Sequence, residues 1–134
     1  KILLDIYADE TEEDSIRLAA ARGLGMMGND AGYDMALDKI HSKEELIQLD
    51  AIYTMGNIKR GEGIKELESI RSESNSYAVD TAVFMIRYSQ AVEDKEKDAI
   101  LLEALKKDER SCASKITAQE SAWAGAKVMK IPQF

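Results

Sequence analysis

The stretch DSIRLAAARGLG, residues 14–25, carries the strongest structural signal in the chain. Its apolar and small residues return at intervals of three and four positions, which places them on one face of an amphipathic α-helix. Alanine and glycine on that face let a second helix approach closely. The residues that share the face are Ile16, Ala19, Ala20, Gly23, Leu24 and Met27.

The same pattern returns along the chain at a shift of 31 residues. A small residue recurs at Ala20, Ala51 and Ala82, and a larger apolar residue recurs four positions later. Self-similarity near this period is typical of solenoids, in which each helix pair buries its apolar face against its neighbours. The larger residues are Leu24, Met55 and Ile86. The helices between them repeat at a shift of 30, which aligns Leu37 with Leu67 and Ile40 with Ile70.

Polar breaks between the apolar segments predict about seven to eight helices and no strands. The one proline is Pro132, so no helix before the last residues is interrupted by proline. Thr11 with Asp14, and Ser42 with Glu45, have the spacing of capping boxes, and Asn75 or Ser76 can cap the fifth long segment. The predicted units of this single domain are a partial one at 1–10, then 11–41, 42–73, 74–107 and a degenerate unit at 108–134.

Residues 14–25 resemble the first helix of a HEAT repeat: an acidic start, an Ile-Arg pair, small residues, then Ala/Gly-Leu-Gly. The short period is similar to that of the HEAT-like repeats of bacterial scaffolds and of the phycobilisome lyase-like group. The second unit departs from the pattern with Gln48 in place of arginine, and the third has Arg87 in place of glycine. The resemblance implies an all-α, right-handed α-solenoid of stacked antiparallel helix pairs, related to armadillo-like folds.

Composition bears on the class of partner. The chain has 134 residues, 32% of them charged, and a net charge of −7, which disfavours nucleic acid because phosphate binding draws on lysine and arginine. No apolar run approaches the roughly 20 residues of a membrane span. Cys112 is the sole cysteine, which fits a reducing compartment and favours the cytoplasm, with a removed signal sequence left open. Because the chain opens inside a helix, we expect Lys1 to be a truncation point in a longer protein.

Residues with catalytic chemistry are scarce. His41 is the only histidine and falls at a turn, where a surface or helix-capping role is expected. Cys112, Trp123 and the methionines are expected to pack in the core. One histidine and one cysteine cannot form a zinc site built mainly from those ligands. The sequence therefore predicts no catalytic residue, no cofactor and no metal site.

The HEAT-like resemblance implies a protein–protein interaction scaffold whose concave face is lined by the second helix of each pair. Their mixed charges favour a protein or peptide partner over a polyanion. The candidate partner-binding residues are Asp34, Asp38, Lys65, Glu66 and Glu103. Two alternatives stay open: a HEAT-like enzyme of lyase or DNA-glycosylase type, and a structural spacer within a larger protein.

The repeat predicts that Ala51 lies where two helices cross. Ala51→Leu should overpack this crossing and lower the free energy of unfolding by about 1–3 kcal/mol. Urea denaturation followed by circular dichroism measures the change. An unchanged free energy of unfolding would contradict the repeat alignment.

Overall fold

The computed structural model describes residues 1–111, with side chains described up to residue 106. The chain divides into two compact units, residues 1–101 and residues 102–134. The described residues form seven α-helices and contain no strand, as the sequence predicted. The helices are α1 (Ile2–Ala8), α2 (Asp14–Met26), α3 (Tyr33–Lys39), α4 (Glu45–Ile58), α5 (Gly63–Ser69), α6 (Ser76–Gln90) and α7 (Asp94–Ser111).

One predicted boundary is wrong. A new helix was expected to begin at Asp108, but α7 continues through this residue to Ser111. The segment around it holds neither glycine nor proline, and Lys106, Lys107, Glu109 and Arg110 are good helix formers, so the helix continues. Cys112 and Trp123 lie outside the described residues.

The methionines divide between core and surface. Met55 is buried in the core as predicted. Met26 and Met27 are exposed at the C-terminal end of α2, where the helix leaves the core, so their predicted core placement is wrong.

Backbone geometry ends two of the long helices. Gly28 has φ +84°, its N–H donates to the Gly25 carbonyl, and the Asn29 N–H donates to the Leu24 carbonyl. This pair of bonds is a Schellman motif, which glycine favours because it adopts a left-handed conformation without steric penalty. Lys59 ends α4 in the same left-handed region, with φ 63°.

The predicted capping boxes do not form. Thr11 donates both its N–H and its hydroxyl to Asp9 Oδ1, and α2 begins only at Asp14. Ser42 Oγ accepts a hydrogen bond from the Glu44 N–H, two residues later. Because these polar side chains close local turns before each helix, they are not available as caps.

Packing within residues 1–101 repeats from helix to helix. The long helix α2 packs against α4, and α4 packs against α6. Each short helix packs against the long helix that follows it: α1 on α2, α3 on α4 and α5 on α6. The residues aligned by the 31-residue shift are all buried in these contacts, namely Ala20, Ala51, Ala82, Leu24, Met55 and Ile86.

Two glycines at equivalent positions permit the close approach of the long helices. A Cβ atom added to Gly25 would lie 3.1 Å from the backbone of Asn57 in α4. A Cβ atom added to Gly56 would lie 3.0 Å from Cα of Ala82 in α6. Since these neighbours are backbone atoms, they can give way only if a whole helix moves.

Side chains of the long helices also bind the C-terminal ends of the short helices. Arg17 Nε donates to the Tyr7 carbonyl of α1 at 2.8 Å, and Gln48 Nε2 donates to the Ile40 carbonyl after α3 at 2.9 Å. Arg17 and Gln48 are equivalent under the 31-residue shift. The glutamine that departs from the HEAT pattern therefore binds a carbonyl at the C-terminal end of a short helix, as the arginine does.

Asn75 donates a similar hydrogen bond at the end of α5. Its side chain is 3% exposed, donates to the Ile70 carbonyl at 2.9 Å and accepts from the Ser72 N–H at 2.7 Å. Asn75 thus stands at the N-cap position of α6, as predicted, but its amide serves the preceding turn.

We expect Gly56→Ala to lower the free energy of unfolding relative to Gly23→Ala by about 1–3 kcal/mol. Both glycines lie inside long helices, so both variants gain similar helix propensity. The alanine at position 23 meets only the flexible end of the Leu3 side chain, whereas the alanine at position 56 meets the α6 backbone. Urea denaturation of both variants gives the difference, and equal stabilities would contradict a rigid α4–α6 contact.

Candidate functional site

The structure places four of the five predicted partner-binding residues in the first unit. Asp34 and Asp38 lie one turn apart on α3, and Lys65 and Glu66 are neighbours on α5; all four are exposed. Glu103 is exposed on α7, within the second unit. The candidate site therefore consists of residues on the two short helices α3 and α5.

Two contacts that involve the adjoining turns link the α3 region with the α5 region, one near each end of α3. Near its start, the Arg60 guanidinium lies 3.9 Å from the centre of the Tyr33 ring, and its Nη1 lies 3.6 Å from Asp30 Oδ2. Just beyond its end, His41 Nε2 lies 3.7 Å from Glu66 Oε2. We call the surface formed by the exposed residues of these helices and the adjoining Asp30, Arg60 and Glu62 the α3–α5 face.

Arg60 organises one edge of the α3–α5 face. Its Nε donates to Glu62 Oε1 at 2.9 Å, a charge-assisted hydrogen bond that raises the pKa of Arg60 and lowers that of Glu62. The same guanidinium stacks on the Tyr33 ring, as arginine commonly does on aromatic faces. Arg60 thus engages Asp30, Glu62 and Tyr33 together.

Tyr33 joins the core to the α3–α5 face. Only 6% of the residue is exposed, and its ring belongs to the core cluster. Its hydroxyl oxygen lies 3.6 Å from the position of a Cβ atom added to Gly63, at the start of α5. No residue in the described part of the chain forms a hydrogen bond with this hydroxyl.

The surroundings of Tyr33 hold its hydroxyl in the neutral form. Burial raises the pKa of Tyr33 above the ordinary value of 10.0, and the carboxylate of Glu62 raises it further. Arg60 lowers this pKa, while the more weakly acting Glu66 and Asp34 carboxylates raise it. Three carboxylates therefore act on one buried hydroxyl.

Charge on the α3–α5 face is more negative than the five sequence candidates suggested. Carboxylates outnumber cations on this face, because the acids are Asp30, Asp34, Asp38, Glu62, Glu66 and Glu68 and the cations are Arg60 and Lys65. Lys65 and Asp34 form no ion pair with any residue between positions 1 and 106. Sequence reasoning missed Tyr33, Arg60 and Glu62 as site residues, although the acidic and basic residues flanking Gly61 offered a signal.

His41 lies at the surface, as the sequence predicted, and its contact is with Glu66 rather than with a helix-terminal carbonyl. Among the described residues, no group of three or more histidine, cysteine, aspartate or glutamate side chains is arranged to hold a metal ion. None of the helices described is both long and apolar enough to cross a bilayer.

No protein-family model matches the chain, and no significant match was found among curated proteins or solved structures.

Tyr33 should make the fold sensitive to alkali. Because its pKa is higher in the folded chain than in the unfolded one, the stability due to its neutral form is complete below about pH 10 and is lost as the pH rises through the folded pKa. Above about pH 10, Tyr33→Phe should therefore lose less stability than the wild type as the pH rises. Urea denaturation at several pH values tests this, with Tyr77→Phe at an exposed position as the control. Parallel curves for the wild type and Tyr33→Phe would contradict the assignment.

Proposed function

We propose that residues 1–101 form a HEAT-like segment, a right-handed α-solenoid of stacked antiparallel helix pairs that serves as a protein–protein interaction scaffold. The repeated packing supports the solenoid part of this proposal. Each long helix meets the next through a small residue, and each short helix lies on the long helix that follows it. Stacked pairs of this kind offer an extended surface made by one helix of each pair.

The observation that supports the scaffold function is that the long helices are mostly buried, whereas the short helices expose charged residues. The long helices α2, α4 and α6 supply most of the buried residues. The short helices α3 and α5 expose Asp34, Asp38, Lys65 and Glu66, and Arg60 and His41 in the adjoining turns contact Tyr33 of α3 and Glu66 of α5. A charged surface of this kind suits recognition of a protein or peptide.

Exchange of two charges on α5 tests the proposal. The wild-type chain, Lys65→Glu/Glu66→Lys and a control, Lys43→Glu/Glu44→Lys, are immobilised and incubated with lysate, and bound proteins are quantified by mass spectrometry. Each double variant keeps the net charge, and all four positions are exposed. We expect a partner that the wild type and the control retain and that the α5 variant loses about tenfold or more, because charge reversal converts attraction into repulsion.

Circular dichroism first establishes that the three chains are equally helical. Equal recovery from the α5 variant and the wild type would remove the α3–α5 face as the binding surface. Recovery of no partner by any folded chain would favour a structural spacer.

A further inference from the structure

The buried residue Tyr33, which is 6% exposed, borders the α3–α5 face, and its hydroxyl has no protein partner among the residues that the structure describes. Buried hydroxyl groups in folded proteins are nearly always paired with protein or water. Its position 3.6 Å from a Cβ atom added to Gly63 puts this oxygen at the start of α5.

The carboxylates around this hydroxyl are not all neutralised by the chain itself. Arg60 binds Asp30 and Glu62. Glu66 has only the neighbouring His41, at 3.7 Å, and Asp34 has no ion pair among residues 1–106. A cation brought in from outside would therefore meet two carboxylates and an oxygen with free lone pairs.

Deepening the proposed function, on which this inference rests, we propose that the α3–α5 face binds a lysine- or arginine-rich peptide segment. One cationic side chain donates a hydrogen bond to the Tyr33 hydroxyl oxygen and pairs with Asp34 and Glu66. Further basic side chains of the segment lie along α3 towards Asp38, which is exposed one turn beyond Asp34. Charge complementarity selects this partner, because the face and the whole chain, at −7, are both acidic.

The direct test uses fluorescein-labelled peptides of defined sequence: alternating Lys-Gly, alternating Glu-Gly and alternating Ser-Gly, all of twelve residues. Fluorescence anisotropy with the full chain should show binding of the Lys-Gly peptide, weakened by added salt, and no binding of the other two. Spermidine, at equal total charge, serves as a competitor. Displacement as efficient as that by unlabelled Lys-Gly peptide would overturn the assignment to a peptide.

Three variants locate the binding. Asp34→Asn/Glu66→Gln should weaken Lys-Gly binding about tenfold or more, because two carboxylates lose their charge. The control Glu45→Gln/Asp50→Asn makes the same change in net charge at exposed positions of α4 and should stay within about twofold of the wild type. An equal loss in the control would show attraction to net charge alone and would overturn the proposal.

Tyr33→Phe supplies the sharper variant, since it removes one oxygen and no charge. It should weaken Lys-Gly binding about fivefold or more, because the hydrogen bond to a charged donor is lost. Its stability at neutral pH should not fall, because the hydroxyl has no protein partner to lose. Unchanged binding by a folded Tyr33→Phe variant would overturn the role of the hydroxyl and, with it, this site.

The outcomes separate this inference from the proposed function. A partner captured by the lysate experiment and lost on charge exchange at positions 65 and 66, together with no binding of the Lys-Gly peptide, would leave the scaffold standing and overturn the basic-peptide assignment. Failure of both experiments with folded protein would overturn both.

Discussion

Gly25 and Gly56 bring successive long helices so close that a single added methyl group would meet the backbone of the next helix. The rest of the first unit depends on this spacing. It buries the aligned alanines and lets the apolar residues of α2, α4 and α6 share one core cluster with those of α3 and α5. Arg87 occupies the third equivalent position, so the same glycine contact is not available on α6. Dense interiors tolerate few such changes in volume.

Hydrogen bonding at the ends of the short helices obeys a second constraint. A helix end leaves carbonyl groups without partners inside the helix. Arg17 donates to such a carbonyl in the last turn of α1, and Gln48 and Asn75 donate to the carbonyls of the residues that end α3 and α5. Different side chains thus provide a hydrogen-bond donor to a carbonyl at a helix end. The Asn75 amide nitrogen also lies 3.4 Å from Gln48 Oε1, which connects the helix ends of α3 and α5. A hydrogen bond to a carbonyl at the end of the short helix therefore recurs along the chain, although the residue type that donates it changes.

The repeat could be predicted from the sequence because the aligned residues are buried. Ala20, Ala51 and Ala82 were identified in this way and are all buried. The apolar face of α2 was predicted less well, because Ile16 and Ala19 are exposed whereas Leu18 and Ala21 are buried. Helix starts could not be predicted as well, because Thr11 and Ser42 form local turns that compete with capping. Exposure of Asp34, Asp38, Lys65 and Glu66 followed from helical periodicity. The position of the Tyr33 hydroxyl could not be predicted from helical periodicity. An aromatic residue at helical spacing predicts core packing, but the spacing does not show which residues surround the hydroxyl.

Tyr33 also bears on the entropy of recognition. A side chain on an open surface samples several rotamers and must lose that freedom when it binds something. The Tyr33 ring is held on one side by the core and on the other by the Arg60 guanidinium, so its torsions are already fixed in the unbound chain. The conformational entropy of the Tyr33 side chain is therefore lost during folding and not again on binding. Any ligand that reaches the hydroxyl meets a preorganised group, and the selectivity of the encounter is set by direction as well as by charge.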